Sequence, residues 1–221
     1  MTGFDLTTGA GRRRAVADYL WKDHAYLRLG FSNAHWISDE LVRSNQPWPF
    51  QFKGWADRGI RTVINLRGGV HTSFRALEVD ACARHGLELV DFVIASRDVP
   101  TAEKVIGAKR LFETVKYPAL MHCKSGADRA GIMAVFYKHF REGQPIRKAI
   151  QQLSPKYLHV RAGLTGVLDY IFDRYLAEGE PAGLSFLDWV QSPAYDPVAI
   201  KADFRGQWWG TLLSERLLRR E

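Results

Sequence analysis

The residues with the clearest chemical potential lie in one segment, MHCKSGADRAG, residues 121–131. Its cysteine and arginine, Cys123 and Arg129, are separated by five residues. Residues 117–121 before the reactive cysteine are typical of a short buried strand, and residues 132–137 after the segment are typical of a helix. A loop that leaves a strand and enters a helix directs its free backbone N–H groups into one small concavity, which suits a tetrahedral oxyanion. The sequence therefore predicts an anion site built around a cysteine and an arginine.

The chemistry of such a site needs these residue types. A thiol is a weak nucleophile until it ionises, and a helix N-terminus beside a fixed guanidinium favours ionisation. Arg129 would hold the anion through paired hydrogen bonds while Cys123 attacks as the nucleophile. We expect Gly126 to let the loop turn its amides inward, where a β-carbon would crowd the anion. We expect His122 to hydrogen-bond the loop backbone, and Gly131 to let the helix pack closely on the sheet.

The segment resembles the signature loop H-C-x-x-G-x-x-R-x-G of the cysteine-dependent tyrosine and dual-specificity phosphatase superfamily. Outside the loop, residues 44–47 and 59–67 resemble the opening of the compact atypical dual-specificity phosphatases of bacteria, fungi and plants, and residues 158–168 resemble its helical end. The resemblance covers roughly residues 30–178. It implies metal-independent hydrolysis of phosphate monoesters without a cofactor. Cys123 would attack phosphorus to form a thiophosphoryl enzyme, which water would then hydrolyse.

The phosphate would be bound mainly by the Cys–Arg loop, defined here as residues 123–129. The predicted substrate-binding positions in it are Lys124, Ser125, Gly126, Ala127, Asp128 and Arg129. Lys124 would add positive charge at the mouth of the site. Arg67 either lines a pocket for a second phosphate or is a turn arginine, and the sequence leaves both readings open. His159 and Arg161 are predicted to be packing or surface residues.

Three aspartates compete for the role of the acid that protonates the leaving oxygen, a role that contributes about 10² to 10⁴ in rate. Asp98 ranks first, because it lies between a predicted strand and a predicted helix, where the acid of dual-specificity enzymes usually lies. The alternative is an exposed aspartate that caps the following helix. Asp128 ranks second, because myotubularin-like lipid phosphatases and some bacterial tyrosine phosphatases have an aspartate there, implicated in acid catalysis or water positioning. Asp91 ranks third, since it falls within a predicted strand.

One position departs from the family pattern. A serine or threonine usually follows the signature arginine, and its hydroxyl stabilises the leaving thiolate during hydrolysis of the intermediate. This chain has Ala130, which puts the turnover rate in question more than phosphate binding, although Ser125 is a second hydroxyl that could act. The departure motivates a non-enzyme alternative, a phosphate-binding adaptor with little turnover. Sulfur transfer, as in rhodaneses, is a further alternative that the histidine before the cysteine argues against.

The alternation of predicted elements indicates an α/β fold whose central, mostly parallel sheet is flanked by helices. Predicted strands cover residues 36–37, 41–43, 62–66, 87–94 and 117–121, and predicted helices cover residues 12–28, 47–59, 73–85, 100–116 and 132–137. Three regions are expected: an N-terminal extension with an amphipathic helix (1–29), a dual-specificity-phosphatase-like catalytic domain (30–178) and a helical C-terminal extension (179–221). The amphipathic helix either packs on its own domain or rests on a membrane surface.

The composition of the chain limits the classes of partner that we expect. The 221 residues carry a net charge of +7, which suits phosphorylated proteins, phosphorylated lipids, inositol phosphates or an anionic membrane surface. Aromatic residues are not interleaved with the basic ones in an RNA-binding motif, so nucleic acid is not expected. Two cysteines, a polar N-terminus and no long apolar span predict a cytoplasmic location. A tyrosine or dual-specificity protein phosphatase is the leading prediction, and a phosphatase of lipids or inositol phosphates is the alternative.

Overall fold

A five-stranded sheet forms the centre of the protein, whose computed structural model describes residues 3–206. The strands are β1 His35–Trp36, β2 Leu41–Asn45, β3 Thr62–Asn65, β4 Glu88–Asp91 and β5 Ala119–Cys123. Their order across the sheet is β1-β2-β5-β3-β4, in which β1 is antiparallel to β2 and all other neighbours are parallel. The predicted α/β fold with a mostly parallel sheet is confirmed.

Helices cover both faces of the sheet. They are α1 Gly9–Trp21, α2 Gln51–Asp57, α3 Ser73–Arg84, α4 Ala102–Thr114, α5 Asp128–Phe140, α6 Ile146–Ala149, α7 Val167–Arg174 and α8 Phe186–Val190, and residues 197–206 are also helical. Two separate core clusters put α4 and α5 on one face and α2 and α3 on the other. Within residues 3–206, no helix has both the length and the hydropathy that crossing a bilayer requires.

Strand β5 lies in the middle of the sheet, and every residue in it is buried. Its side chains alternate, so that Met121 and Cys123 join the core under α4 and α5, while Leu120 joins the core under α2 and α3. A parallel strand covered on both faces needs apolar side chains on both, which the sequence of β5 supplies. The carboxyl ends of β2, β5 and β3 meet at one edge, where sheets of this kind bind ligands. The strand therefore delivers the cysteine to that edge.

Several elements are shorter than the sequence predicts, whereas β2 and α5 are longer. The run 87–94 forms only Glu88–Asp91, because β4 pairs with the four residues of β3 and beyond them keeps only isolated backbone hydrogen bonds. The predicted helix 12–28 ends at Trp21, and a separate 3₁₀ turn follows after His24, whose φ is +55°. Helix α1 packs against its own domain through a cluster that includes Tyr19, Trp48 and Leu77.

The region after residue 178 packs into the main core. Phe186, Trp189, Tyr195 and Ile200 are buried members of the same cluster as the helices on one face of the sheet. The Tyr195 hydroxyl also donates a hydrogen bond to the carbonyl of Pro100, two residues before α4, at 2.6 Å. Helices in this region begin at Phe186 and at residue 197, and residues 207–221 of the expected C-terminal extension lie outside the described residues.

Candidate active site

The Cys–Arg loop connects β5 with α5, which begins at Asp128. Cys123 is buried, with 2% of its surface exposed. The backbone N–H of Gly126 donates a hydrogen bond to Sγ of Cys123 at 3.2 Å. The loop backbone therefore holds the sulfur atom of Cys123 in place at the base of the loop.

The scaffold around the loop fixes the direction of its peptide groups. The carbonyl oxygens of residues 124–127 accept hydrogen bonds from Gln46 N (3.5 Å), Asn33 Nδ2 (3.0 Å) and, for the last two, Arg43 Nη2 (2.9 and 2.8 Å). In a planar trans peptide the N–H points away from the C=O. The N–H groups of residues 125–128 are therefore turned away from the scaffold, which makes the loop a cradle for an anion.

Two glycines allow this loop to form, for reasons that the sequence predicts only in part. Gly126 has φ of +75°, and a β-carbon there would lie 2.6 Å from the backbone N of Asn45. The crowding that excludes other residues thus comes from β2 and not from the anion. At Gly131 a β-carbon would lie 2.7 Å from Cδ2 of Leu153 and 3.4 Å from Nη2 of Arg43. Gly131 therefore lets α5 pack closely against Leu153, in the chain after α6. Its only close neighbour from the sheet is the Arg43 side chain.

Arg43 is the support that the sequence analysis missed. It is completely buried in β2, its guanidinium also donates to the carbonyl of Gln152 at 2.6 Å, and it lies 4.1 Å from the ring centroid of Tyr157. Burial lowers the pKa of Arg43 to about 10, although the nearby Cys123 works in the opposite direction. A charged residue inside an apolar strand must have partners. An arginine within a predicted buried strand, as in residues 41–45, is therefore a sequence signal for a structural arginine.

Arg43→Met is expected to lower the free energy of unfolding by about 3 kcal/mol or more, since each buried carbonyl left without a donor costs about 1 to 3 kcal/mol. The melting temperature should then fall by about 6 to 12 °C. Differential scanning calorimetry measures both quantities. Arg141→Met is the control, because Arg141 pairs with Glu40 at the surface and contacts no loop carbonyl. Equal melting temperatures for the two variants would show that Arg43 does not support the loop.

Arg129 stands in the first turn of α5 and is half-buried. Within the part of the chain that the structure describes, its guanidinium forms no ion pair, whereas the guanidinium groups of Arg43 and Arg67 both have protein acceptors. Arg129 is therefore the arginine of the loop that remains available to an anion.

Comparison with known proteins places this site in a family. A family model described as PTP-NADK, a DSP-PTPase phosphatase fused to NAD+ kinase, matches residues 40–164, which is more than half of the chain. The chain belongs to this DSP-PTPase family. The resemblance to compact dual-specificity phosphatases is thereby confirmed, and the protein is a phosphatase of phosphate monoesters. No curated protein matches the chain.

Solved structures of similar fold include two phosphatases. TpbA of P. aeruginosa is 18% identical, with 72% of this chain and 88% of that chain covered and a TM-score of 0.53. Tk-PTP in its active form is 20% identical, with 64% of this chain and 97% of that chain covered and a TM-score of 0.52. At these identities the two structures establish the fold that the DSP-PTPase chain shares with them.

The first-ranked acid of the DSP-PTPase site, Asp98, lies in the loop between β4 and α4. Its Oδ2 is 2.9 Å from Nζ of Lys201, its Oδ1 accepts the N–H of Val99 at 3.0 Å, and half of its side chain is exposed. The helix-capping alternative is wrong, because the N-cap of α4 is Thr101, whose hydroxyl accepts the N–H of Lys104. Asp98 is thus a candidate acid whose carboxylate is held by one half-buried lysine and one backbone N–H.

The third-ranked aspartate, Asp91, is engaged at the end of β4. It accepts hydrogen bonds from Arg75 Nη2 at 2.6 Å and from Asn65 Nδ2 at 2.9 Å. The two contacts tie Asp91 to α3 and to β3, and they give it a structural role without invoking the reaction.

The second-ranked aspartate, Asp128, has a partner that the sequence analysis did not identify. His159 is buried, not a surface residue, and its Nδ1 lies 2.8 Å from Oδ1 of Asp128. Its Nε2 lies 2.7 Å from Oδ2 of Asp169. Burial works to lower the pKa of His159, but the hydrogen bonds to the two aspartates outweigh it and raise the pKa to about 9. Arg161 is exposed and pairs with Asp173, in keeping with the expected surface role.

Arg67 is held by the N-terminal region of the chain. Its guanidinium is buried, lies 2.5 Å from Asp23, contacts Gln46 and stacks on the ring of Phe74 at 3.7 Å. Burial works to raise the pKa of Asp23, but Arg67 and Arg28 hold it below its usual value. These contacts favour the structural alternative for Arg67 over a second phosphate site.

The other residues in and next to the Cys–Arg loop differ in their exposure to solvent. Lys124 is half-buried, with Nζ 3.6 Å from Oδ1 of Asp23, and Ser125 is exposed. Ala130 is completely buried in the core. The expected backbone contact of His122 is not found among the described residues. Its Nε2 instead lies 2.5 Å from Oε1 of the buried Glu78 on α3.

Proposed function

We propose that this phosphatase is cysteine-dependent and acts on phosphorylated proteins, as a tyrosine or dual-specificity phosphatase. The observation that carries the proposal is the geometry of the Cys–Arg loop. Its carbonyl oxygens are bound by the scaffold and its amides are turned away from the scaffold, with the Gly126 N–H on Sγ of Cys123. Among the residues that the structure describes, no carboxylate pairs with Arg129. Hydrogen-bond donors arranged in this way stabilise the negative charge on the phosphate oxygens in the transition state.

The proposed reaction has two steps. The loop amides and Arg129 hold the phosphate, the thiolate of Cys123 attacks phosphorus, and the bond from phosphorus to the ester oxygen breaks. Asp98 supplies the proton to that oxygen, once its pairing with Lys201 opens. Water then attacks the thiophosphoryl enzyme and releases inorganic phosphate and the thiolate. Neither step assigns a role to a metal or a cofactor.

A phosphate-release panel tests the proposal. It compares p-nitrophenyl phosphate with peptides that carry phosphotyrosine, phosphoserine or phosphothreonine, each with and without EDTA. Release from the phosphotyrosine peptide is expected to be unchanged by EDTA. No release from any peptide would contradict the protein substrate, and release that EDTA abolishes would contradict the metal-independent chemistry.

A phosphorylated lipid is the second candidate substrate, supported by an apolar patch near the site. The patch consists of Trp21, Tyr26, Leu27, Leu29 and Phe31, each at least 40% exposed. It is continuous in sequence with Asn33, which binds the Ser125 carbonyl of the loop. Exposed Arg13 and Arg14 on α1 lie on the same N-terminal region. Apolar side chains flanked by basic ones fit an anionic bilayer.

Vesicle binding separates the two substrate classes. Leu27→Glu with Leu29→Glu is expected to reduce sedimentation with phosphatidylserine vesicles and to slow phosphoinositide hydrolysis, without slowing hydrolysis of a soluble inositol phosphate. Val79→Glu is the control, because Val79 is an exposed apolar residue on α3. Equal binding by both variants would remove the support for the lipid substrate.

A further inference from the structure

The ring of His159 is held between two carboxylates. Its two nitrogens lie 2.8 Å from Asp128 and 2.7 Å from Asp169, and only 1% of the side chain is exposed. Asp128 belongs to the Cys–Arg loop, whereas Asp169 lies in α7 and is itself buried. The chain of contacts thus runs from the reactive loop into the interior of the protein.

The number of N–H groups on the His159 ring determines how many carboxylates it can donate to. A neutral imidazole has one N–H and one lone pair, so it can donate to only one of two carboxylates. The other carboxylate would then face the lone pair at hydrogen-bond distance, which is repulsive unless it takes up a proton. An imidazolium donates to both, and a pKa of about 9 for His159 agrees with that state at neutral pH.

The other charged groups around the pair already have partners or lie farther out. Arg161 pairs with Asp173 and Arg147 pairs with Glu180, all near the surface beside this pair. Arg43, on the other side of the loop, is bound to the loop carbonyls. Asp128 therefore receives its specific charged contact from His159.

We propose that His159 is a positioning residue that holds the Asp128 carboxylate through a charge-assisted hydrogen bond, so that Asp128 serves as the base of the second step and not as the acid of the first. The inference rests on the proposed function. Water attacks phosphorus as the bond from phosphorus to Sγ breaks, the electron pair of that bond returns to Cys123 as thiolate, and the proton of water passes to Asp128. The hydrogen bond from His159 fixes the orientation of the Asp128 carboxylate for this transfer.

Stopped-flow kinetics with p-nitrophenyl phosphate tests the division of roles. In His159→Gln the steady-state rate is expected to fall about tenfold or more, because a base contributes about 10² to 10⁴ when correctly placed. The first turnover should keep its rate within about twofold. The variant should therefore show a burst that approaches one product per enzyme, whether or not the parent does. His139→Gln, a histidine on α5 that contacts the Gln144 carbonyl, is the control and should behave like the parent.

The pH profile gives a second readout, which a purely structural role would not change. In the parent the steady-state rate should fall as pH rises through about 9, where His159 loses its proton. Asp169→Asn removes one of the two anions, so this fall should move to lower pH. The same variant keeps the test possible if His159→Gln does not fold.

Three outcomes overturn the inference: an unchanged steady state in His159→Gln, an equal loss in burst and steady state, or an alkaline limb that Asp169→Asn leaves in place. Failure of the proposed function has a different signature. In that case the parent itself releases no p-nitrophenol, or its turnover does not depend on Cys123.

Discussion

Cys123→Ser is expected to abolish turnover of every phosphate ester, with a loss of about 10⁴-fold or more, because a serine hydroxyl without an adjacent base is a poor nucleophile. Binding of an oxyanion should persist. The amides of the Cys–Arg loop and Arg129 are unchanged by the substitution, and the loop carbonyls keep their donors Asn33, Arg43 and Gln46. Vanadate or phosphate binding by calorimetry measures the second part, and p-nitrophenol release measures the first.

Cys82→Ser is the matched control. Cys82 is the other cysteine of the chain, it is buried on the opposite face of the sheet, and burial raises the pKa of its thiol. A thiol that is hard to ionise and far from the loop should not act as the nucleophile, so its serine variant should retain turnover. Retained turnover in folded Cys123→Ser, or loss of turnover in folded Cys82→Ser, would refute the cysteine mechanism.

The local part of this architecture could be predicted from the sequence. The strand that carries Cys123, the loop and the helix that begins at Asp128 are contiguous, so their apolar pattern and their glycines fix most of the local geometry. The same holds for the mostly parallel sheet, because β-branched and apolar runs such as those of β3 and β5 alternate with helices along the chain. Strand ends were less predictable, since β4 can pair only as far as β3 extends.

The supports of the loop could not be predicted from local pattern. Arg43 lies 83 positions from Gly126, and Asn33 lies 92 positions from Ser125. His159 is 31 positions from Asp128. Such contacts depend on which elements pack together, and sequence spacing carries no information about that. Burial of Arg43 in an apolar strand is the one exception, because a charge there signals partners elsewhere.

The structural role of Arg67 also depends on a contact that is distant in the sequence. Its place after a strand at the correct sheet edge was predicted, but its partner Asp23 comes from the N-terminal region, 44 positions away. A buried aspartate bound to both Arg67 and Arg28 neutralises charge that would otherwise face the site. The N-terminal region therefore shapes the charge around the Cys–Arg loop, although the sequence resemblance begins only after it.

Asp98→Asn is expected to slow hydrolysis of alkyl phosphates by about 10² to 10⁴, because their leaving oxygen is a strong base that needs a proton. Hydrolysis of p-nitrophenyl phosphate should fall far less, since p-nitrophenolate leaves without help. The alkaline limb of the profile of kcat/KM against pH should also flatten for alkyl substrates. Rates for a series of esters with leaving groups of increasing basicity measure this dependence.

Asp128→Asn supplies the comparison that identifies the acid. If Asp128 is the base of the second step, this variant should lower the steady-state rate to a similar extent for all leaving groups, because hydrolysis of the thiophosphoryl enzyme no longer involves them. Lys201→Met should leave the leaving-group dependence of the parent intact, since it removes only the ion-pair partner of Asp98. The assignment of Asp98 is wrong if Asp128→Asn shows the steep dependence on leaving group and Asp98→Asn does not. In that event the imidazolium of His159 would have to transfer its proton to Asp128 during the first step, and the alkaline limb of the alkyl phosphate profile would then follow His159.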